Sequence, residues 1–262
     1  MHESTPVFTI SNLSCTFGQG RKKTTALDKI SFSISTGEII SIVGESGSGK
    51  STLGRILLQL LSPGSGTILF NGKAFPPCRE YYRQVQMVFQ NPYACFNQFF
   101  TVTAQLIDCL HVSGQKCSSE QKHMRIKESL QMVSIDPRQV EGKYPFELSG
   151  GQMQRLLLAR IFLIKPSVLV ADEMTSMIDA CSRRSILDCL LSLKSELDMT
   201  IIFITHDISL AAKTSDRLII MKSGRIIEEG LTERIIRSPV EDYTKNLLEH
   251  ASMALLPVSA SP

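Results

Sequence analysis

The stretch IISIVGESGSGKSTL, Ile39 to Leu53, decides the fold. A short apolar run, strand-like in composition, feeds a glycine-rich loop, and Lys50-Ser51 opens the helix-like segment KSTLGRILLQLL. Gly44, Gly49, Lys50 and Ser51 meet the spacing GxxxxGK[ST]. Gly47 and Gly49 let the backbone curl until several N–H groups face one anion. Lys50 supplies a point charge for the β- and γ-phosphates, and the Ser51 hydroxyl offers a ligand to Mg²⁺. Ser46 and Thr52 lie in the same loop and count with it as binding candidates. Strand, loop and helix in this order describe a nucleoside triphosphate site.

Working outward, other apolar runs end in chemistry. SVLVADE closes on Asp172-Glu173, at the C-terminal end of a strand, where open α/β sheets hold their ligands. Asp172 is positioned to hold a Mg²⁺ shell. Glu173 is a natural general base or water-orienting group for hydrolysis. TIIFITHD carries His206 at its tip, within reach of a γ-phosphate as sensor or water positioner. Taken alone, each of these endings has a plain structural explanation, a turn cap or a packed histidine; following a phosphate loop, they read as chemistry.

The strands alternate with helix-like segments such as ACSRRSILDCLLSLKSEL and ISLAAKTS, which argues for a covered, mainly parallel sheet. Before the loop, VFTISNLSCTF and ISFSIS read as an N-terminal antiparallel β portion, and RLIIMKSGRIIEEG reads as a hairpin turning at Ser223-Gly224. From Asn91 to about Tyr144 β-branched runs vanish and the helical segments TVTAQLIDCLHV and SSEQKHMRIKESLQMVSI take over. The expected fold is α/β, a P-loop NTPase core with an inserted helical subdomain. The expected organisation is core at residues 1–90 and 160–235, helical insert at 91–159 and C-terminal tail at 236–262, with the ending ASMALLPVSASP loose.

Composition narrows the classes. With 262 residues, 43% of them hydrophobic, the chain can bury a substantial core. The 28 basic residues nearly balance the 25 acidic ones, which disfavours a nucleic-acid machine. Arg21-Lys22-Lys23 reads as a solvated loop. The seven cysteines show no CxxC spacing and suit reduced thiols in a cytosolic protein. No signal-peptide order opens the chain, and the apolar runs are too short to span a bilayer.

One more stretch asks for an explanation. In FELSGGQMQRLLLARIFLIKP, Ser149, Gly150, Gly151 and Gln152 open a helix that runs to Lys165. Ser149 is a good N-cap, but a cap needs no second glycine. Two glycines there let a ligand approach the backbone amides, backed by the helix dipole. Because this segment ends the helical insert, the economical arrangement is a dimer in which each LSGGQ clamps the nucleotide held by its partner's phosphate loop.

With these elements assembled, the sequence resembles the ATP-binding cassette (ABC) ATPases. The ordered set GESGSGKST, Gln90 in VQMVFQNP, LSGGQ, LVADE, Ser176–Asp179 and His206 is similar to that family's catalytic outfit, and it covers the chain from about Phe8 to Gly230. The resemblance implies further roles. Phe17 in CTFG would stack on adenine. Gln90 would link the Mg²⁺ site to the helical lobe, and NPYACFNQFF after it would touch a membrane partner. Asp179 would communicate across the dimer. ATP and Mg²⁺ are the implied cofactors.

Within the family, NPYACFNQ and SPVEDYTKNLLEH resemble the oligopeptide, dipeptide and nickel importer group, the latter echoing its PYTxxLL. The tail stops without the cysteine-bearing extension of many peptide members, which leans the expectation toward nickel or metallophore import. The implied partners are a second cassette (a copy or a paralogue), membrane permease subunits and, indirectly, an extracytoplasmic solute-binding protein, with no nucleic acid. The implied location is peripheral, on the cytoplasmic face of the membrane. The chain departs from the family in three places. Met174 replaces a proline, Met177-Ile178 an Ala-Leu pair, and Val240-Glu241-Asp242 stands where the group often has His-Pro. The first two spare Asp172, Glu173, Ser176 and Asp179 yet favour a paralogue as dimer partner, and the third counts against the subgroup. The competing reading is a soluble, non-transport ABC ATPase acting on ribosomes or DNA. Against it stand the single cassette and the lack of room for a long coiled coil.

Overall fold

The computed structural model describes residues 6–18, 23–114, 117–174 and 180–255. In chain order the strands are β1 (Pro6–Phe17), β2 (Thr24–Ser35), β3 (Ile39–Val43), β4 (Ser65–Phe70), β5 (Val85–Val88), β6 (Val168–Asp172), β7 (Thr200–Thr205), β8 (Arg217–Lys222) and β9 (Arg225–Leu231). The helices are α1 (Lys50–Leu57), α2 (Cys78–Gln84), α3 (Val102–Val112), α4 (Ser119–Met132), α5 (Gly150–Ile164), α6 (Ala180–Leu197), α7 (Ile208–Thr214), α8 (Thr232–Arg237) and α9 (Asp242–Leu255). The chain divides into two compact units, Met1–Phe75 with Ile201–Pro262, and Pro76–Thr200.

The first unit holds an antiparallel sheet in the order β2-β1-β4 and the strands β7-β3-β8-β9. β3 runs parallel to β7 and to β8, while β9 returns antiparallel to β8. Every residue of β3 is buried, as a strand covered on both faces requires. Each of its isoleucines gains roughly 1.5–3 kcal/mol from leaving water. The polar exception, Ser41, shares a hydrogen bond with the Ser215 hydroxyl, so no polar group is stranded in that layer. The β8–β9 turn falls at Ser223 and Gly224, both at positive φ (47° and 79°), as expected from the sequence.

The second unit pairs β5 parallel to β6 and carries α2 to α6. α5 is buried on nearly every side, with Met153, Leu156, Leu157, Leu158 and Ala159 all enclosed, and α3, α4 and α6 pack around it. Apolar residues all round its circumference make it the core element rather than a surface helix. Lys165, in the left-handed conformation (φ 55°), ends it one residue before Pro166.

Two elements differ from the sequence expectation. α2 has no side-chain N-cap and buries only Tyr81, so neither capping nor periodicity announces it. The ending expected to be loose is helical as far as Leu255, in α9, which docks on the first unit's core through Tyr243, Leu247, Leu248 and Ala251; its remainder, residues 256–262, lies outside the described residues.

Candidate nucleotide site

The phosphate loop lies wholly in the first unit, between β3 and α1. Gly49, the N-cap of α1, sits at φ 103° with no side-chain cap, and α1 has no acidic residue in its first turn. The helix N-terminus therefore carries its partial positive charge with no side-chain cap and no acidic neighbour in its first turn. Side chains are excluded here on steric grounds. A Cβ on Gly44 would come 2.1 Å from the Met221 carbonyl oxygen, and one on Gly49 would come 2.3 Å from that of Ala26.

Lys50 is 5% exposed, and a buried ammonium must be satisfied. Its Nζ donates to the carbonyls of Gly44 (2.7 Å) and Glu45 (2.8 Å) and to Ser48 Oγ (3.3 Å). The charge thus stands over the curl of the loop. Ser46 and Gly47 are exposed, and Ser51 and Thr52 are half-buried.

His206 and the loop are neighbours through strand register. Val43 pairs with Thr205, so the chain leaves the sheet at Gly44 and at His206 side by side. The His206 ring is exposed, and the next residue, Asp207, caps α7 by accepting the Leu210 amide at 3.0 Å. Phe17 ends β1 and is 44% exposed, a high value for a phenylalanine and suited to a ring that receives a flat ligand.

In the second unit, Val88 on β5 pairs with Ala171 on β6, which sends Gln90 and Asp172-Glu173 off the same end of the strand pair. Gln90 Nε2 donates to Glu173 Oε2 at 3.4 Å. Glu173 itself adopts φ 46°, a left-handed backbone that costs a non-glycine residue about 1–2 kcal/mol. Such strain concentrates where a side chain must be aimed. The residue after it, Met174, is 2% exposed, so the apolar side chain that replaces the family's proline is packed inside. Asp179, Ser176, Met177 and Ile178 lie outside the described residues.

The LSGGQ segment starts α5 with a capping box. Ser149 Oγ accepts the Gln152 amide at 3.3 Å, and Gln152 Oε1 accepts the Ser149 amide at 3.0 Å. That exchange leaves the Gly150 and Gly151 amides as the helix-start donors it does not use. A Cβ on either glycine would meet nothing within 4 Å, and neither has a positive φ. The fold of this chain gives no reason for glycine at either position. A ligand or partner that approaches the backbone does.

Sequence reading missed the outer supports of the phosphate loop. Glu45 donates its amide to the Tyr243 hydroxyl, and Gly224 donates its amide to the Ser48 carbonyl. The signal available was the tail segment SPVEDYTKNLLEH, which in sequence marked only a subgroup.

Comparison with known proteins follows the same lines. The family model described as ABC transporter matches residues 27–176. The oligopeptide transport ATP-binding protein OppF of Streptococcus pyogenes serotype M1 is 35% identical over 245 residues, covering 91% of this chain and 80% of its own. The dipeptide transport ATP-binding protein DppF of Lactococcus lactis subsp. cremoris is 36% identical over 256 residues, covering 95% and 82%. Among solved structures, the ATP-binding cassette MJ0796, a dimer in a post-hydrolysis state bound to ADP and Pi, superposes with a TM-score of 0.76 at 28% identity, covering 86% of this chain and 98% of that one. CbiO1 from Clostridium perfringens, part of the ABC transporter complex cbiONQ, gives 0.77 at 26% identity, covering 96% of each. By the family match over residues 27–176 and by these relatives, this chain belongs to the ABC transporter ATP-binding family.

Proposed function

We propose that this chain is the ATP-hydrolysing subunit of an ABC importer for peptides, working as one of two cassettes that close on ATP. The observation that carries the clamp is the pair Gly150-Gly151, open to solvent at the start of α5 and unused by the chain's own packing. In a dimer, each pair would offer its amides to the γ-phosphate of the nucleotide seated on the partner's loop. Part of the binding energy would then appear only when both half-sites meet, which drives the lobes as rigid bodies.

In hydrolysis, a water oxygen attacks the γ-phosphorus and the bond to the β–γ bridging oxygen breaks, giving ADP and phosphate. Glu173 takes the water's proton, His206 holds the γ-phosphate side, and Gln90 restrains Glu173 until nucleotide arrives. Phe17 receives the adenine, and Asp179 signals across the dimer. The Ser51 hydroxyl, the Gln90 side-chain oxygen and the Asp172 carboxylate are the groups that would hold Mg²⁺, each an oxygen donor of the kind that ion prefers. That ion, when bound, neutralises charge on the β- and γ-phosphate oxygens.

The relatives named for oligopeptide and dipeptide transport favour a peptide cargo over nickel. No helix among the described residues is long and apolar enough to cross a membrane, so attachment would come through permease subunits, served from outside by a solute-binding protein. The test is a tagged Glu173→Gln pull-down with MgATP from detergent-solubilised cells. Multi-span membrane subunits and a second cassette among the captured proteins support the importer and decide between copy and paralogue. Ribosomal or nucleoid proteins without a membrane subunit overturn it.

A further inference from the structure

The C-terminal helix reaches the phosphate loop. Tyr243 stands in the first turn of α9, and its hydroxyl oxygen accepts the backbone N–H of Glu45 at 3.2 Å, across 198 residues of sequence. Its ring lies under the Lys222 ammonium, 4.5 Å from the centroid, at the end of β8. The turn after Lys222 grips the loop again. Gly224 donates its amide to Ser48 at 3.0 Å and accepts that of Asp28 at 2.9 Å.

Tyr243 is itself held. Its helix packs with Leu247 and Leu248 on the buried cluster of Val43, Ile208, Leu218 and Ile235. At the start of that helix, the Glu228 carboxylate accepts the amides of Val240 (2.9 Å) and Glu241 (3.3 Å). Burial raises the Tyr243 phenol above its ordinary value.

We propose that Tyr243 is a positioning residue of the nucleotide site, holding the Glu45 amide outward so that the loop beyond it is curled before ATP arrives. The inference rests on reading Gly44–Thr52 as the nucleotide loop. A loop of serines and glycines has many conformations to lose, and fixing its first residue from outside removes part of that loss from the binding step. Docking of α9 then sets nucleotide affinity, although α9 offers no group to the nucleotide itself.

The experiment compares full-length wild type with Tyr243→Phe, which keeps the ring and its packing and removes only the hydroxyl. The expected result is ATP affinity weaker by roughly threefold to tenfold, the loss of one neutral hydrogen bond. The KM for ATP should rise in step, with kcat at saturating ATP unchanged and the nucleotide-free Tm slightly lower, because the bond is made without nucleotide. Hydrogen exchange should also quicken at the Glu45 amide. Equal affinity and equal Glu45 exchange in the two proteins, with wild type binding ATP, overturn the positioning role alone. A fall in kcat without a change in affinity overturns it as well. Wild type that binds no ATP removes the site reading and this inference together.

Discussion

Gln90 Nε2 sits 3.4 Å from Glu173 Oε2, a long hydrogen bond between the last residues of two adjacent strand exits. N–H···O bonds cluster near 2.9–3.0 Å. A contact at the long end is weak enough to be exchanged for another partner.

Glu173→Gln separates binding from chemistry. The amide fills the same space but accepts a proton poorly, so ATP affinity should stay within a factor of about two while turnover falls by at least roughly 10²-fold, the scale of a lost general base. Single-turnover hydrolysis checks it, and a near-wild-type rate would remove Glu173 as the base.

The backbone at Glu173 gives a second, independent expectation. At φ 46° glycine is favoured over any other residue, so Glu173→Gly should be as stable as wild type or more so, by up to about 1 kcal/mol, while losing turnover. Calorimetry beside an ATPase assay reads both quantities. A clear drop in Tm would show that the Glu173 side chain contributes more to the fold than its backbone strain costs.

Gly150→Ala and Gly151→Ala test the clamp without disturbing the fold. Either methyl enters open space on a helix start, so stability should hold or rise by up to about 1 kcal/mol. ATP-dependent dimer formation, followed by size-exclusion chromatography in an otherwise Glu173→Gln chain, should fall sharply. Dimers that form as readily as before would mean the glycine amides face no ligand.

These tests mirror what local sequence could encode. The loop from Gly44 to Thr52, the LSGGQ start and the Ser223-Gly224 turn are legible because each depends on residue types a few positions apart. α2 escaped notice because Pro77 offers no cap and one buried tyrosine makes no periodic face. The stretch from Ala251 looked loose because the helix that enters it, α9, is held through Tyr243, Leu247, Leu248 and Ala251 by contacts with β8, α7 and α8, remote in sequence. The supports at Glu45 and Ser48 were hidden for the same reason, since nothing near either residue specifies Tyr243 or Gly224.

Lys50 already serves the loop without nucleotide, through its three hydrogen bonds. Lys50→Ala should therefore lower Tm as well as weaken ATP binding, the latter by roughly a hundredfold or more, as charged hydrogen bonds are worth about 1.5–3 kcal/mol each. Thermal melts with and without MgATP measure both effects. Normal ATP stabilisation in the variant would sink the assignment of Lys50 to the phosphates.

Gln154 poses the opposite case. It is 1% exposed on α5, and neither its Oε1 nor its Nε2 has a hydrogen-bond partner among the described residues. An unpaired buried amide costs about 1–3 kcal/mol, whereas an apolar side chain of like shape costs nothing of the kind. Gln154→Met keeps the length and the helix propensity, so it should raise stability by about 1 kcal/mol or more, a gain of roughly 2–4 °C for each kcal/mol in a chain of this size. The melt should be run on the nucleotide-free protein. Gln154 lies two residues beyond the LSGGQ segment, so ATPase activity should be read alongside. A higher Tm with unchanged activity marks the amide as a plain cost to the fold. A higher Tm with lost activity would show that the amide serves turnover at the cost of the fold.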